Sequence, residues 1–219
     1  MSQYARRMPN VKRIPRLSVP EDILQKVENT PLLPKEVTAA RMRHRNLQFY
    51  KFSELIQHPE VRKDIPPERL QEIEKNIRFV KETEDYDTLF SLLGEKTGAD
   101  AADLLAEKLL QLNSGVVDDV LAGLCESYSN FFFENSLILL SEVYQKENIS
   151  DKIVSLLESN KVRDMLDFSS LLMLLGRSKS REVLPVLYSY FVFFRDNYPQ
   201  EEYYEAPLLA MYDIIRPEA

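Results

Sequence analysis

Few side chains in this chain are suited to nucleophilic or metal chemistry. Cys125 is the sole cysteine, within Leu121-Ala122-Gly123-Leu124-Cys125-Glu126. A thiolate nucleophile wants a neighbouring base and a positive environment. The local charges are Asp118, Asp119 and Glu126, so Cys125 is expected to be a buried structural residue. His44 sits among Arg41, Arg43 and Arg45, cations that disfavour its protonation. His58 precedes Pro59 and is expected to close a helix. Neither histidine has another at i, i+4, and Glu54 with His58 is too small a set for a metal ion. The acid groups Asp85/Asp87, Asp118/Asp119 and Glu201/Glu202/Glu205 could do acid–base work only if one were held protonated in a pocket. Their ordinary place is a solvated face or a helix's first turn. The Glu-x-x-His motif of a carboxylate-bridged di-iron bundle is missing, and five glycines leave little for a phosphate-cradling loop. The expectation is no catalytic residue, no metal site and no cofactor.

The charge distribution says more. The 219-residue chain carries a net charge of −7, unevenly spread. Residues 1–52 hold 11 Lys/Arg against 4 Asp/Glu, and residues 53–219 hold 17 against 31. This reads as a basic arm on an acidic body. The acidic body repels nucleic-acid phosphates and anionic lipid. Arg6, Arg7, Lys12, Arg13 and Arg16 have no acidic neighbour before Glu21. They could dock on an acidic protein partner, contact nucleic acid, fold across the chain's own body, or form a tail with no role. Self-docking is the readiest because the complementary surface is tethered, and no nucleic-acid-binding module is recognisable. Pro9, Pro15 and Pro20 interrupt the N-terminus, which lacks the apolar core of a secretion signal. Apolar runs such as Leu137–Leu140 and Tyr190–Phe194 fall far short of the roughly 20 residues of a membrane span. A soluble, cytoplasmic protein is expected.

The elements that must position these residues read as helices. Residues 1–17 form an extended arm, because their prolines prevent an early helix. Ser18-Val19-Pro20-Glu21 has the form of a capping box before a helix over about 19–29. Pro31 and Pro34 precede a second helix over about 34–57, and Pro66-Pro67 opens a third over about 66–82. There Leu70, Ile73, Ile77 and Val80 recur at i, i+3, i+7 and i+10, one apolar stripe. The same spacing returns in Leu105, Leu109 and Leu112, in Met165, Phe168, Leu172 and Leu175, in Val183, Leu187, Tyr190 and Phe194, and in Leu208, Tyr212 and Ile215. No segment sustains two-residue alternation. Leucine supplies 31 residues against 26 for valine and isoleucine together, which favours helix over sheet. Breaks at Gly94, Gly98, Asn113-Ser114-Gly115, Ser159-Asn160, Gly176–Ser180 and Asn197-Tyr198-Pro199 divide the chain into helices near 84–94, 100–112 and 116–128, with others beyond. Ser150 is placed as an N-cap, Pro207 in the last helix's first turn, and Pro217 just past its end.

Leu93-Gly94 and Leu175-Gly176 recur at an offset of 82, twice 41, within the range of helical-repeat units. The stretch Leu171-Leu172-Met173-Leu174-Leu175-Gly176-Arg177-Ser178-Lys179-Ser180-Arg181-Glu182-Val183-Leu184-Pro185-Val186-Leu187 resembles a HEAT-type unit. In such units one helix ends in a Leu-Gly step, a polar turn follows, and a Val-Leu-Pro-x-Leu segment starts the second helix. The ending Tyr203-Tyr204-Glu205-Ala206-Pro207-Leu208-Leu209-Ala210-Met211-Tyr212-Asp213 is similar to terminal units of bacterial HEAT-like proteins. The resemblance implies an all-α fold, a right-handed α–α superhelix of stacked helix pairs behind the extended basic arm. It also implies a protein-binding scaffold, and it transfers no catalytic residue. The expected organisation is an arm over 1–17, a helical segment over 18–82 and a HEAT-like region over 83–219, as one continuous domain from residue 18.

Nine aromatic residues fall within 188–212, among them Tyr198, Tyr203 and Tyr204. One helix buries rings all round only when packed on several sides. The cluster is expected either to fill the core between the last helices or to open partly as a groove for a partner, since Tyr and Phe enrich interface centres. The candidate binding residues are therefore Arg6, Arg7, Lys12, Arg13, Arg16, Tyr198, Tyr203 and Tyr204. The expected function is a non-enzymatic scaffold or adaptor for another protein, with nucleic-acid association through the basic N-terminal region as the alternative.

Overall fold

Turn chemistry and apolar stripes set the helices of this chain. A computed structural model describes residues 11, 14–30, 51–126, 128–144, 146–162 and 164–216. Among them are thirteen α-helices and two 3-10 turns, with no strand. No helix among the described residues is long and apolar enough to cross a membrane. The packing divides into two units: the described residues of Met1–Arg45 with Glu147–Ala219, and those of Asn46–Lys146.

The unit from the middle of the chain holds α2 (Phe52–Leu55), α3 (Pro59–Arg62), α4 (Pro67–Glu82), α5 (Tyr86–Ser91), a 3-10 turn (Leu92–Gly94), α6 (Lys96–Ala99), α7 (Ala102–Leu112), α8 (Val116–Leu124) and α9 (Asn130–Tyr144). Pro67 at the first position of α4 presets the helical φ. Ile73, Ile77 and Val80 of the expected stripe are buried and Leu70 is half-buried. At the far end of α4, the Lys108 ammonium donates to the carbonyls of Lys81 (2.7 Å) and Thr83 (2.5 Å), placing a cation where orphan carbonyls accumulate. Asp85 caps α5 by accepting from the Thr88 N–H at 2.9 Å. Asp100, 4% exposed, takes both arms of the Arg69 guanidinium and the Asn76 amide, fastening the end of α6 to α4. The α9 helix packs on α7 and on the 3-10 turn, where the buried Asn135 donates to the Leu93 carbonyl at 2.9 Å.

The other unit is built from distant parts of the sequence. It holds α1 (Glu21–Asn29), α10 (Ser150–Glu158), α11 (Met165–Gly176), a 3-10 turn (Arg181–Val183), α12 (Leu184–Asn197) and α13 (Glu205–Ile215). α13 packs against both α11 and α12, α10 packs on α11, and α1 lies on α13. The stripes of α11 and α12 are covered throughout: Met165, Phe168, Leu172 and Leu175, and Val183, Leu187, Tyr190 and Phe194. The Leu171–Leu187 stretch forms the expected sequence of helix, turn and helix, with α11 ending at Gly176 and α12 starting at Leu184.

The two Leu-Gly steps differ in environment. A Cβ on Gly176 would lie 2.9 Å from the Ala210 Cα and 3.1 Å from its carbonyl oxygen, so α11 and α13 meet backbone to backbone there. A Cβ on Gly94 would meet nothing nearer than the Ser129 Oγ at 3.8 Å.

Several local expectations are corrected. Ser18 does not cap α1. Pro20 is the N-cap, its ψ of 143° is extended, and its carbonyl accepts from the Ile23 and Leu24 amides. A cap at Ser18 would need Val19 in helical geometry, which the following proline disfavours. Ser150 is the first helical residue rather than the cap, and the Asn148 side chain accepts from its N–H at 3.0 Å and its hydroxyl at 2.6 Å. The helix expected over 116–128 ends at Leu124. Leu112, the end of an expected buried stripe, is 41% exposed because α7 stops there. Most of the helix expected over 34–57 lies outside the described residues.

Gly176→Val should destabilise the chain by about 1–3 kcal/mol, because backbone atoms cannot yield as a side-chain tip can. Gly94→Ala should be near neutral. Thermal unfolding of both variants tests this, and equal melting temperatures would remove the close helix crossing from the account.

Candidate partner-binding surface

Helix α12 and the turn after it assemble the aromatic surface. Phe194 is fully buried, and its ring meets Phe168 of α11 at 6.2 Å, Phe193 at 5.5 Å, Tyr198 at 6.4 Å and Tyr203 at 5.9 Å. Tyr190, one turn earlier and 2% exposed, stacks on Phe194 and meets Phe168 edge-on at 5.2 Å. These three rings are core. A second layer lies over them, in which Phe193 touches Tyr198 at 5.9 Å, Tyr198 touches Tyr203 at 6.1 Å, and Tyr204 meets Phe191 edge-on at 6.2 Å. All of that layer is half-buried, as is Tyr188, while Tyr212 of α13 is covered. The core expectation is met by the buried rings, while none of the second-layer rings is fully exposed.

The turn is forced by its residues. Tyr198 leaves helical geometry, Pro199 cannot continue the helix, and Glu202 adopts φ 58°. A non-glycine residue in that region costs about 1–2 kcal/mol. The ring contacts of Tyr198 and Tyr203 on Phe194 hold both sides of the reversal and offset that cost.

Arg16 is the one basic candidate among the described residues. Its Nη2 lies 2.8 Å from the Glu158 Oε1 at the end of α10. The neighbouring Leu17 N–H donates to the Ser189 Oγ of α12 at 2.8 Å. Further along, Arg181 pairs with Glu28 at 3.3 Å and Arg216 donates to the Thr30 carbonyl at 3.2 Å. The described end of the basic arm thus lies on α10 and α12. Exposed pairs of this kind contribute roughly 0.2–1 kcal/mol each, so Leu17 and the buried Val27 share in holding the segment. Arg6, Arg7, Lys12 and Arg13 lie outside the described residues, as does His44.

The remaining sequence candidates are dispersed. Cys125 is half-buried at the C-cap of α8 rather than enclosed, because the helix ends at Leu124 and the chain turns outward. His58 is exposed and stands as N-cap of α3, opening one helix as well as following another. Asp119 accepts from the Tyr86 hydroxyl at 2.6 Å. Asp118, Glu201 and Glu202 lie at the surface. No group of three or more potential metal ligands occurs among the described residues. The second-layer rings Phe191 and Phe193 belong to the aromatic cluster of the sequence but not to its candidate binding residues, and their part depends on which α12 face α13 covers. Sequence reading missed Glu158 and Ser189, since no local signal marks their long-range partners.

No protein family, curated protein or solved structure matches this chain.

Burial pushes the Tyr190 phenol up to about 12, the nearby Glu158 carboxylate adds to this, and Arg16 opposes it. A phenol raised in the folded state contributes stability below its ordinary value of 10.0 that is lost as pH rises toward 12. Stability should therefore fall across that window, less steeply in Tyr190→Phe. Denaturant melts at successive alkaline pH values measure the slope, and an identical slope in the variant would contradict the burial of this hydroxyl.

Proposed function

We propose that the chain is a non-enzymatic interaction scaffold of HEAT-like stacked helix pairs that binds another protein through the aromatic layer of α12 and the Tyr198–Tyr204 turn. The observation that carries this reading is the state of the second-layer rings, clustered in one place and only half covered. A core tends to close over its rings, whereas interface centres keep Tyr and Phe accessible until a partner arrives. The helix–turn–helix at Leu171–Leu187 supports the HEAT-like part of the reading. The alternative, nucleic acid held by the basic arm, gains nothing from the described residues, because Arg16 is paired with Glu158.

A photo-reactive phenylalanine analogue at position 204, compared with one at the exposed Arg78 of α4, tests the proposal in cells. Discrete protein adducts are expected from position 204 and not from position 78. Adducts that are absent, or the same from both positions, would overturn it.

A further inference from the structure

We propose that the aromatic layer receives a cationic, arginine-bearing segment of its protein partner. The inference rests on the interaction reading above and adds the partner's chemistry. Its first support is charge. Residues 196–215 carry five carboxylates and no lysine or arginine. Asp196, Glu201 and Glu202 are exposed, directly beside the half-buried Tyr198, Tyr203 and Tyr204. A surface of this sign repels phosphate and anionic lipid and draws cations.

The second support is a contact made within the chain. The Arg195 guanidinium carbon sits 5.4 Å from the centroid of the Phe191 ring, and its Nε donates to the Asp196 carboxylate at 2.8 Å. The layer therefore already hosts one guanidinium in the manner asked of a partner, with its central carbon over a ring and an N–H on an acid. Tyr198, Tyr203 and Tyr204 offer further rings with acids alongside. Guanidinium suits such a site better than ammonium, because it is planar, weakly hydrated and stacks on aromatic faces.

Calorimetric titration of the full chain at low salt tests the proposal. The probe is a short peptide of alternating glycine and arginine, with lysine and glutamate counterparts. The arginine peptide should bind, the lysine peptide several-fold more weakly, and the glutamate peptide not measurably. Glu201→Lys with Glu202→Lys should weaken arginine-peptide binding by about tenfold. The same charge change at the exposed Glu68 and Glu82 of α4 should alter it less than about twofold. Tyr204→Leu, which removes a ring and no charge, should cost a further several-fold.

Equal weakening by both charge reversals would reduce the effect to net charge and overturn the proposal. So would absent binding, or indifference to Tyr204→Leu. If the peptide bound only after Arg6, Arg7, Lys12 and Arg13 were changed to glutamine, the chain's own arm would be the occupant and an external cationic partner would be refuted. Failure here alongside retained cross-linking at position 204 would discard the cationic chemistry while leaving the interaction reading in place.

Discussion

The close crossing of α11 and α13 at Gly176 and Ala210 governs the unit that carries the aromatic surface. A Cβ on Gly176 would lie 2.9 Å from the Ala210 Cα, so the α13 backbone occupies the space a side chain would need. That draws α13 inward, so the connection from α12 must reverse within a few residues. Tyr198, Pro199 and Glu202 make the reversal, and the same path lays Tyr198 and Tyr203 on Phe194. With α13 further out, α12 would lose one wall and Phe194 its cover. The aromatic layer on α12 and its turn thus sits beside a small-residue contact between the two helices that flank it, α11 and α13, and α1 also packs on α13.

Charge acts on a different scale. The basic arm and acidic body suggest attraction along the whole N-terminus, yet the described contacts are few and specific: Arg16 on Glu158, Glu28 on Arg181, the Thr30 carbonyl on Arg216. Two of these three cations, Arg181 and Arg216, belong to the C-terminal part of the chain, so the segment is not held by its own positive charge alone. Apolar contact supplies the rest, through Val27 of α1 and the helix's amphipathic spacing. Electrostatics sets the register of the segment, and burial sets its adhesion.

Much of this architecture was legible from periodicity. The stripes of α4, α11 and α12 place their buried residues correctly, because a 3.6-residue period is written locally and packing then enforces it. Prolines at 66 and 67 and the Asn113-Ser114-Gly115 break were readable for the same reason. Local caps were read less well. Ser18 and Ser150 each have the right residue type one or more positions from the true cap, and type alone does not say which backbone carbonyl starts the helix. The pairing of α1 with α13 was not legible, since it joins residues more than 150 positions apart with no repeat or motif to link them. The aromatic cluster was visible as composition. Which rings stay half-open depends on the side of α12 that α13 takes, a fact of tertiary packing.

The magnitudes also bear on why such a layer would be left partly open. At about 25 cal/mol per Å², covering roughly 200–300 Å² of ring surface, a modest patch for a monomer, contributes about 5–7.5 kcal/mol. Association itself costs about 4–15 kcal/mol before any contact is counted. Ring burial alone therefore gives weak, reversible attachment with little selectivity, because any apolar segment could supply it. The carboxylates around the turn change this by penalising apolar or anionic occupants that would strip their hydration without compensation. An occupant that brings its own cations replaces that hydration with charge-assisted hydrogen bonds. On the proposed reading, the acids beside Tyr203 and Tyr204 would act chiefly as a filter, and the rings as the adhesive.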